Sequence, residues 1–292
     1  MELKFKELVL ESVLEAQTNF KGSQREFAVS LNVNPAQLST FMSGKLSATI
    51  GDKKLLAIAR KLKVGKPGVS KWKAVETPVY QAVTAILGKC QEDCVSAIIC
   101  DEADIGKTFA AEMYCRMTKG ALYIDCSQVK NRQQLIRQIA RELGVSNGGS
   151  YKEVYDAVVY NITTADLSHL VVLDEVGDLN YEAFLELKAL WNATEECCGW
   201  TMMGADALRH KIERGIRVHR VGFSEIFSRF GSRFQRITPD DAAGVKEFRK
   251  EQGAMIIEAN FNGNFDVNKV LVKTDGSLRR IKIERSKVNA TN

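Results

Sequence analysis

Val95 to Thr108 reads VSAIICDEADIGKT. An apolar run, Val95 to Cys100, gives way to a polar loop ending in Gly106-Lys107-Thr108. Phe109 to Met117 then continues with helical spacing. A buried strand, a phosphate-cradling loop and a helix N-terminus are written this way. Backbone N–H groups of Asp104, Ile105, Gly106, Lys107, Thr108 and Phe109 would wrap the phosphates of ATP. The Lys107 amine would reach the β/γ oxygens, and the Thr108 hydroxyl would ligate Mg²⁺. The usual pattern opens on Gly, but Asp101 stands here, and Asp104 takes a place where many such loops carry another Gly. Asp101, Glu102 and Asp104 therefore crowd negative charge beside a polyanion. The expectation is that Asp101 and Asp104 point outward, and that Asp101→Gly tightens nucleotide affinity.

The second half of such a site is His169-Leu170-Val171-Val172-Leu173-Asp174-Glu175. An apolar run ending in Asp-Glu predicts a buried parallel strand that delivers two carboxylates at its C-terminal edge, where ligands sit in open α/β sheets. Asp174 would share the Mg²⁺ with Thr108, and Glu175 would polarise the attacking water.

The chain has 292 residues, enough for two domains, with an apolar fraction of 45% and a charged fraction of 26%. No apolar run approaches the ~18 residues of a membrane span, and the charged start is no signal peptide. A cytoplasmic protein, bacterial or phage-encoded, with no membrane partner is the expectation. Seven cysteines show no metal-like spacing with His and read as reduced thiols. The net charge of +5 is uneven: residues 1–73 carry 13 Lys and Arg against 6 Asp and Glu, the rest 28 against 30. A basic front module implies a polyanionic partner.

That front module begins with a helical pattern over residues 1–20. Ser23 to Lys45 then has the proportions of a helix-turn-helix, with Ser23 and Glu26 as a capping box, Val33 in the turn and Gly44 at the end. A second helix entering the major groove N-terminus first would present Asn34, Ala36, Gln37, Ser39 and Thr40, with Lys45 on phosphate. Asp52 to Leu62 closes the module. Lys63 to Lys73 reads as linker, and its Trp72 is expected either to stack on a base or to dock onto the next domain.

Further on, strands at 121–125 and 199–204 alternate with helical patterns near 77–88, 133–143, 151–160 and 181–191. This predicts an α/β fold, a parallel sheet with helices on both faces, preceded by an all-α module. The expected division is 1–65 helix-turn-helix, 66–76 linker, 77–238 ATPase core and 239–292 helical lid.

Taken as a set, these motifs resemble the AAA+ ATPases, and within them the MuB-type transposition proteins, the target-selecting ATPases of phage Mu and its relatives. The resemblance rests on a Cro-like helix-turn-helix, the Cys100 to Thr108 loop and the apolar-Asp174-Glu175 strand. It continues in Met203-Gly204, Phe227-Ser228-Arg229 and Gly276-Ser277-Leu278-Arg279. It implies arginine fingers, for which Arg229 and Arg233 are candidates, and a second sensor at Arg279. The residue after Gly204 is usually a polar sensor in that family; here it is Ala205, which implies slow hydrolysis unless Asp206 substitutes. The resemblance further implies a homo-oligomer, ring or helical filament, on double-stranded DNA, and a DDE-type transposase as partner. A helicase-loader or replication-initiator ATPase, and a non-hydrolysing nucleotide-binding transcriptional regulator, are the competing readings.

A basic stretch, Arg209-His210-Lys211, Arg214, Arg217 and His219-Arg220, follows the sensor strand. As a loop facing the inside of a ring or helix, Arg209, Lys211, Arg214, Arg217 and Arg220 would contact DNA phosphates.

Overall fold

In the computed structural model, residues 2–46, 50–65, 72–261 and 265–291 are described. Residues 66–71 of the expected linker lie outside them.

Among the described residues, five strands form one sheet in the order β2-β3-β4-β1-β5: β1 Ser96–Cys100, β2 Ala121–Asp125, β3 His169–Asp174, β4 Cys198–Gly204 and β5 Phe234–Gln235. Every pairing is parallel, and Cys100 lies opposite Gly204. Strands buried on both faces read as unbroken apolar runs, and β3 is buried throughout. Period-two geometry sends Ile98 and Cys100 to one face of β1 and Ala97 and Ile99 to the other.

Helices cover both faces. The first core contains α7 (Arg132–Leu143), α8 (Tyr151–Thr163), α9 (Tyr181–Ala193), α10 (Asp206–Arg217) and α11 (Phe223–Arg229). The second contains α5 (Pro78–Glu92) and α6 (Lys107–Met117). Since β4 runs between β1 and β3, the loops after β1 and β3 emerge on either side of it at the C-terminal edge. That is the ligand-binding edge of an open parallel sheet.

Among the described residues, four helices ahead of α5 form a module of their own: α1 (Leu3–Asn19), α2 (Gln24–Ser30), α3 (Pro35–Met42) and α4 (Asp52–Lys61). Their apolar stripes meet in a separate core around Val9, Val13, Phe27, Leu38, Phe41 and Leu55. The Ser23–Glu26 capping box forms, and the Asn34 side chain accepts from the N–H groups of Ala36 and Gln37 to start α3. This bundle docks on the sheet domain. Lys61 donates to the Ser30 carbonyl and to Glu142, each at 2.8 Å, and Arg116 donates to the Leu62 carbonyl at 3.0 Å. Gly144 permits the approach of α7 to α2. It sits at φ 78°, and a side chain there would meet the Glu26 carbonyl oxygen at 2.5 Å.

Among the described residues, three helices follow the sheet: α12 (Ala242–Asn260), α13 (Val267–Thr274) and α14 (Leu278–Thr291). Ile256, Ile257, Phe261 and Ile281 form their core, and Trp72 packs against it with the Arg285 guanidinium 5.2 Å from its ring. The Asn260 side chain accepts from the Lys73 N–H at 2.8 Å and donates to the Lys73 carbonyl at 3.1 Å. Trp72 therefore docks rather than standing free for a base. Among the described residues, no helix is long and apolar enough to cross a membrane.

The basic stretch after β4 is a helix for most of its length, not a loop. Leu208, Ile212 and Gly215 are buried on one face of α10, and that helical spacing seats it against the sheet.

Candidate functional site

The chain leaves β1 at Asp101, loops through residues 102–105, and enters α6 through Gly106 at φ 102°, a backbone state that suits Gly. Ile105 is buried and pins the loop to the core, Asp104 holds φ 62°, and Phe109 is exposed on the first turn. Lys107 is only 8% exposed, and its amine donates to the carbonyls of Asp101 (2.8 Å) and Glu102 (2.6 Å). The loop thus curls around the amine. Burial pulls the Lys107 pKa down, and Asp101, Asp174 and Glu175 push it back up.

Thr108 donates its hydroxyl to Asp174 Oδ2 at 2.7 Å, which joins the two halves across β4. The Glu175 N–H donates to Asp174 Oδ1 at 2.9 Å. Tyr123, a residue the sequence did not single out, donates to Asp174 Oδ2 from β2, also at 2.9 Å. Its only sequence signal is its place on the strand that pairs with β3. A hydroxyl and a buried carboxylate, with no cluster of three or more His, Cys, Asp or Glu among the described residues, fit Mg²⁺ shared with substrate phosphates. They do not fit an ion caged by protein alone.

The three loop carboxylates correct the expectation from sequence. Asp101 is 1% exposed and turns inward. It accepts from the Ile237 N–H at 2.6 Å, the Thr238 N–H at 2.9 Å, the Glu102 N–H at 2.7 Å and the Thr238 hydroxyl. Burial by itself would raise the Asp101 pKa, but these donors outweigh it and hold the carboxyl below the ordinary range. Glu102 faces Arg249 at 3.1 Å and Arg236 at 3.7 Å. Asp104 accepts from the Ser277 hydroxyl at 2.6 Å and the Arg279 N–H at 3.2 Å, with Arg279 Nε at 3.7 Å. Each carboxylate therefore meets a group C-terminal to β5, and none stands free to repel phosphate. Sequence reasoning missed Arg236 and Arg249 and gave Ser277 no role beyond its place in the Gly276–Arg279 motif; all three lie far along the chain from the loop.

Glu175 holds φ 51°, a strained state for a side chain of its size, at the turn where β3 ends. It is exposed, and its pKa is raised by partial burial and by neighbouring Asp174 and Asp178. Ala205 caps α10 without a side-chain hydrogen bond, and Asp206 is exposed in the first turn of that helix. Arg279 reaches the loop; Arg229 does not. Arg229 lines a cleft with Val95 and Ser96 at the opposite edge of the sheet, donates to Asn192 Oδ1 at 2.7 Å and lies over Trp191. Arg233 is exposed just ahead of β5.

On α3, Gln37 and Ser39 are exposed, Thr40 is half-exposed with its hydroxyl on the Ala36 carbonyl, and Lys45 is exposed beyond the helix. Asn34 is exposed but serves as the cap. On α10, Arg209 pairs with Glu213, whereas Arg214 and Arg217 are exposed. Arg220 is exposed and lies over the Tyr181 ring at 3.8 Å. Lys211 does not face solvent as expected: its amine donates to the carbonyls of Gly177 (2.8 Å) and Leu179 (2.6 Å).

Residues 91–212 match the family model of an AAA domain. No curated protein sequence matches the chain. Similar solved structures include Cdc6p from Pyrobaculum aerophilum, at 18% identity and a TM-score of 0.49, covering 77% of this chain and 64% of that one. Another is the Aeropyrum pernix ORC1 protein in complex with DNA, at 14% identity and a TM-score of 0.45, covering 71% and 65%. The chain thus spans less than two thirds of the length of either. Its fold is the α/β AAA+ P-loop fold, a parallel five-stranded sheet flanked by helices.

Proposed function

We propose that the chain is a DNA-binding ATPase that binds ATP at the loop 101–108, assembles on duplex DNA and delivers target DNA to a transposase. The observation that carries the nucleotide reading is the Thr108–Asp174 hydrogen bond with Lys107 alongside, at the C-terminal edge of β1 and β3. In this reading the backbone N–H groups of residues 104–109 and the Lys107 amine hold the triphosphate. Thr108 and Asp174 would hold Mg²⁺, which neutralises developing charge when bound. Glu175 accepts the proton of the attacking water. Ala205 offers no side-chain donor to orient that water, so turnover is slow. Arg233, exposed ahead of β5, is the better placed arginine finger for a neighbouring copy, because Arg229 is engaged within its own chain. The transposase partner rests on the resemblance in motif order alone.

The four N-terminal helices supply the DNA reading: α2 and α3 form the helix-turn-helix, with Gln37 and Ser39 facing solvent. Gln37→Glu places a carboxylate at the groove-facing turn without touching the core. DNA affinity is expected to fall about tenfold, as a lost base-edge contact plus like-charge repulsion implies. Fluorescence anisotropy with a labelled duplex checks this; unchanged affinity would remove α3 from the interface.

Glu175→Gln is expected to leave ATP affinity unchanged and to slow turnover about a hundredfold, the lower end for loss of a general base. In the native chain the raised Glu175 pKa means that its basic form is lost at a higher pH than for a free glutamate. Turnover should therefore decline on acidification before the ordinary glutamate range is reached. A pH–rate profile with its acid limb at or below that range would remove Glu175 as the base.

Ala205 specifically favours a second reading, a nucleotide-binding transcriptional regulator that does not hydrolyse ATP. Electron microscopy of the chain on duplex DNA separates the two. ATP-dependent, sequence-independent filaments support the first reading, and a single footprinted site without filaments supports the second.

A further inference from the structure

Carboxylates are poor company for a polyanion, yet the phosphate loop carries three, and each finds its partners beyond the end of the sheet. We propose that Glu102 and Asp104 are positioning residues, which seat Arg249 and Arg279 of the C-terminal helices over the phosphate loop before nucleotide arrives. The proposal rests on the nucleotide reading above and assigns the acidic residues a role in it.

Three observations carry it. First, the contacts converge on the start of α14: Asp104 accepts from the Ser277 hydroxyl and the Arg279 N–H, at 2.6 and 3.2 Å. The first residue of that helix lies on the loop, since a side chain built at Gly106 would meet Leu278 at 3.5 Å. Second, Arg249 of α12 bonds both Glu102 (3.1 Å) and the Ala103 carbonyl (3.2 Å), while its Nε is buried with no hydrogen-bond partner among the described residues. A buried donor without a partner is costly, and an incoming ligand oxygen would satisfy it. Third, the Arg279 side chain is 83% exposed, so it can turn from Asp104 to a phosphate without disturbing any core. The loop carboxylates pair with the arginines at 236, 249 and 279, so their charge is offset within the chain itself.

Simple repulsion and positioning predict opposite signs for one substitution. Asp104→Gly removes a negative charge, relieves a left-handed residue and brings the loop nearer the common glycine-rich pattern. Repulsion alone predicts tighter ATP binding. Positioning predicts binding about tenfold weaker, the effect of losing a preorganised contact.

The experiment pairs two readouts on the full chain. Hydrogen exchange without nucleotide reads the seat itself: the Arg279 amide should be protected in the native chain and should lose that protection in Asp104→Gly. ATP titration reads the consequence. Affinity should fall in Asp104→Gly, and the same change on an Arg279→Ala background should cause no further loss, which general destabilisation would not reproduce. Equal exchange in both chains, or affinity that is unchanged or tighter in Asp104→Gly, overturns the proposal. A native chain that binds no ATP overturns the nucleotide reading instead, while the exchange result still decides whether Asp104 seats α14.

Discussion

Lys107→Ala is expected to weaken ATP binding about a thousandfold. A unit charge about 4 Å from a phosphate oxygen, at an effective dielectric of about 20, contributes roughly 4 kcal/mol, and no neighbouring group replaces it. The substitution also strips a donor from the carbonyls of Asp101 and Glu102, so the loop itself loosens. Equilibrium dialysis with labelled ATP measures the loss, and thermal unfolding without nucleotide monitors the fold. Affinity within tenfold of the native value would mean that Lys107 only closes the loop and does not face the ligand.

The second large effect is one of stability. Asp101→Ala leaves the N–H groups of Ile237, Thr238 and Glu102 short of an acceptor and places Arg236 beside a neutral methyl. Each buried unsatisfied donor costs about 1–3 kcal/mol, so a loss of about 4 kcal/mol is expected, roughly a thousandfold in the folding equilibrium. Urea titration of both chains gives the difference. Because the Asp101 pKa is depressed in the folded chain, this stabilisation is present above the ordinary value of about 3.9 and is lost as pH falls through the folded value. The difference between the two chains should therefore shrink in acid. Equal stability at neutral pH would show that the residue is not a structural anchor. Asp101→Gly is expected to act in the same direction, so the tightening suggested by charge counting alone is replaced by weakening.

What the sequence disclosed, and what it hid, divides along contact distance. Gly106-Lys107-Thr108 and the run into Asp174-Glu175 are local patterns: a strand period, a turn and a helix start. Each pattern sets its residues at the C-terminal end of its own strand, and the parallel sheet then brings the lysine, the hydroxyl and the carboxylate to one edge. Asp101 misled because its partners, Ile237 and Thr238, come from the far side of β1, well over a hundred residues along the chain. The same holds for Asp104 and Ser277. Lys211 read as a phosphate contact because a cation in a basic run looks solvated. Its amine instead lies over the Phe184 ring, 5.6 Å from the centroid, and closes the turn after Glu175. The α10 helix was legible in principle, from the spacing of Leu208, Ile212 and Gly215, but the charges around it dominated the reading.

If loop 101–108 and strand 169–174 form one nucleotide site, calorimetric titration of ATP into the native full chain detects it. The titration is run with Mg²⁺ and duplex DNA present, and Lys107→Ala serves as the control. One ATP should bind per chain, with affinity that drops when Mg²⁺ is chelated and that falls about a thousandfold in Lys107→Ala. No heat of binding to the native chain under the same conditions would contradict it.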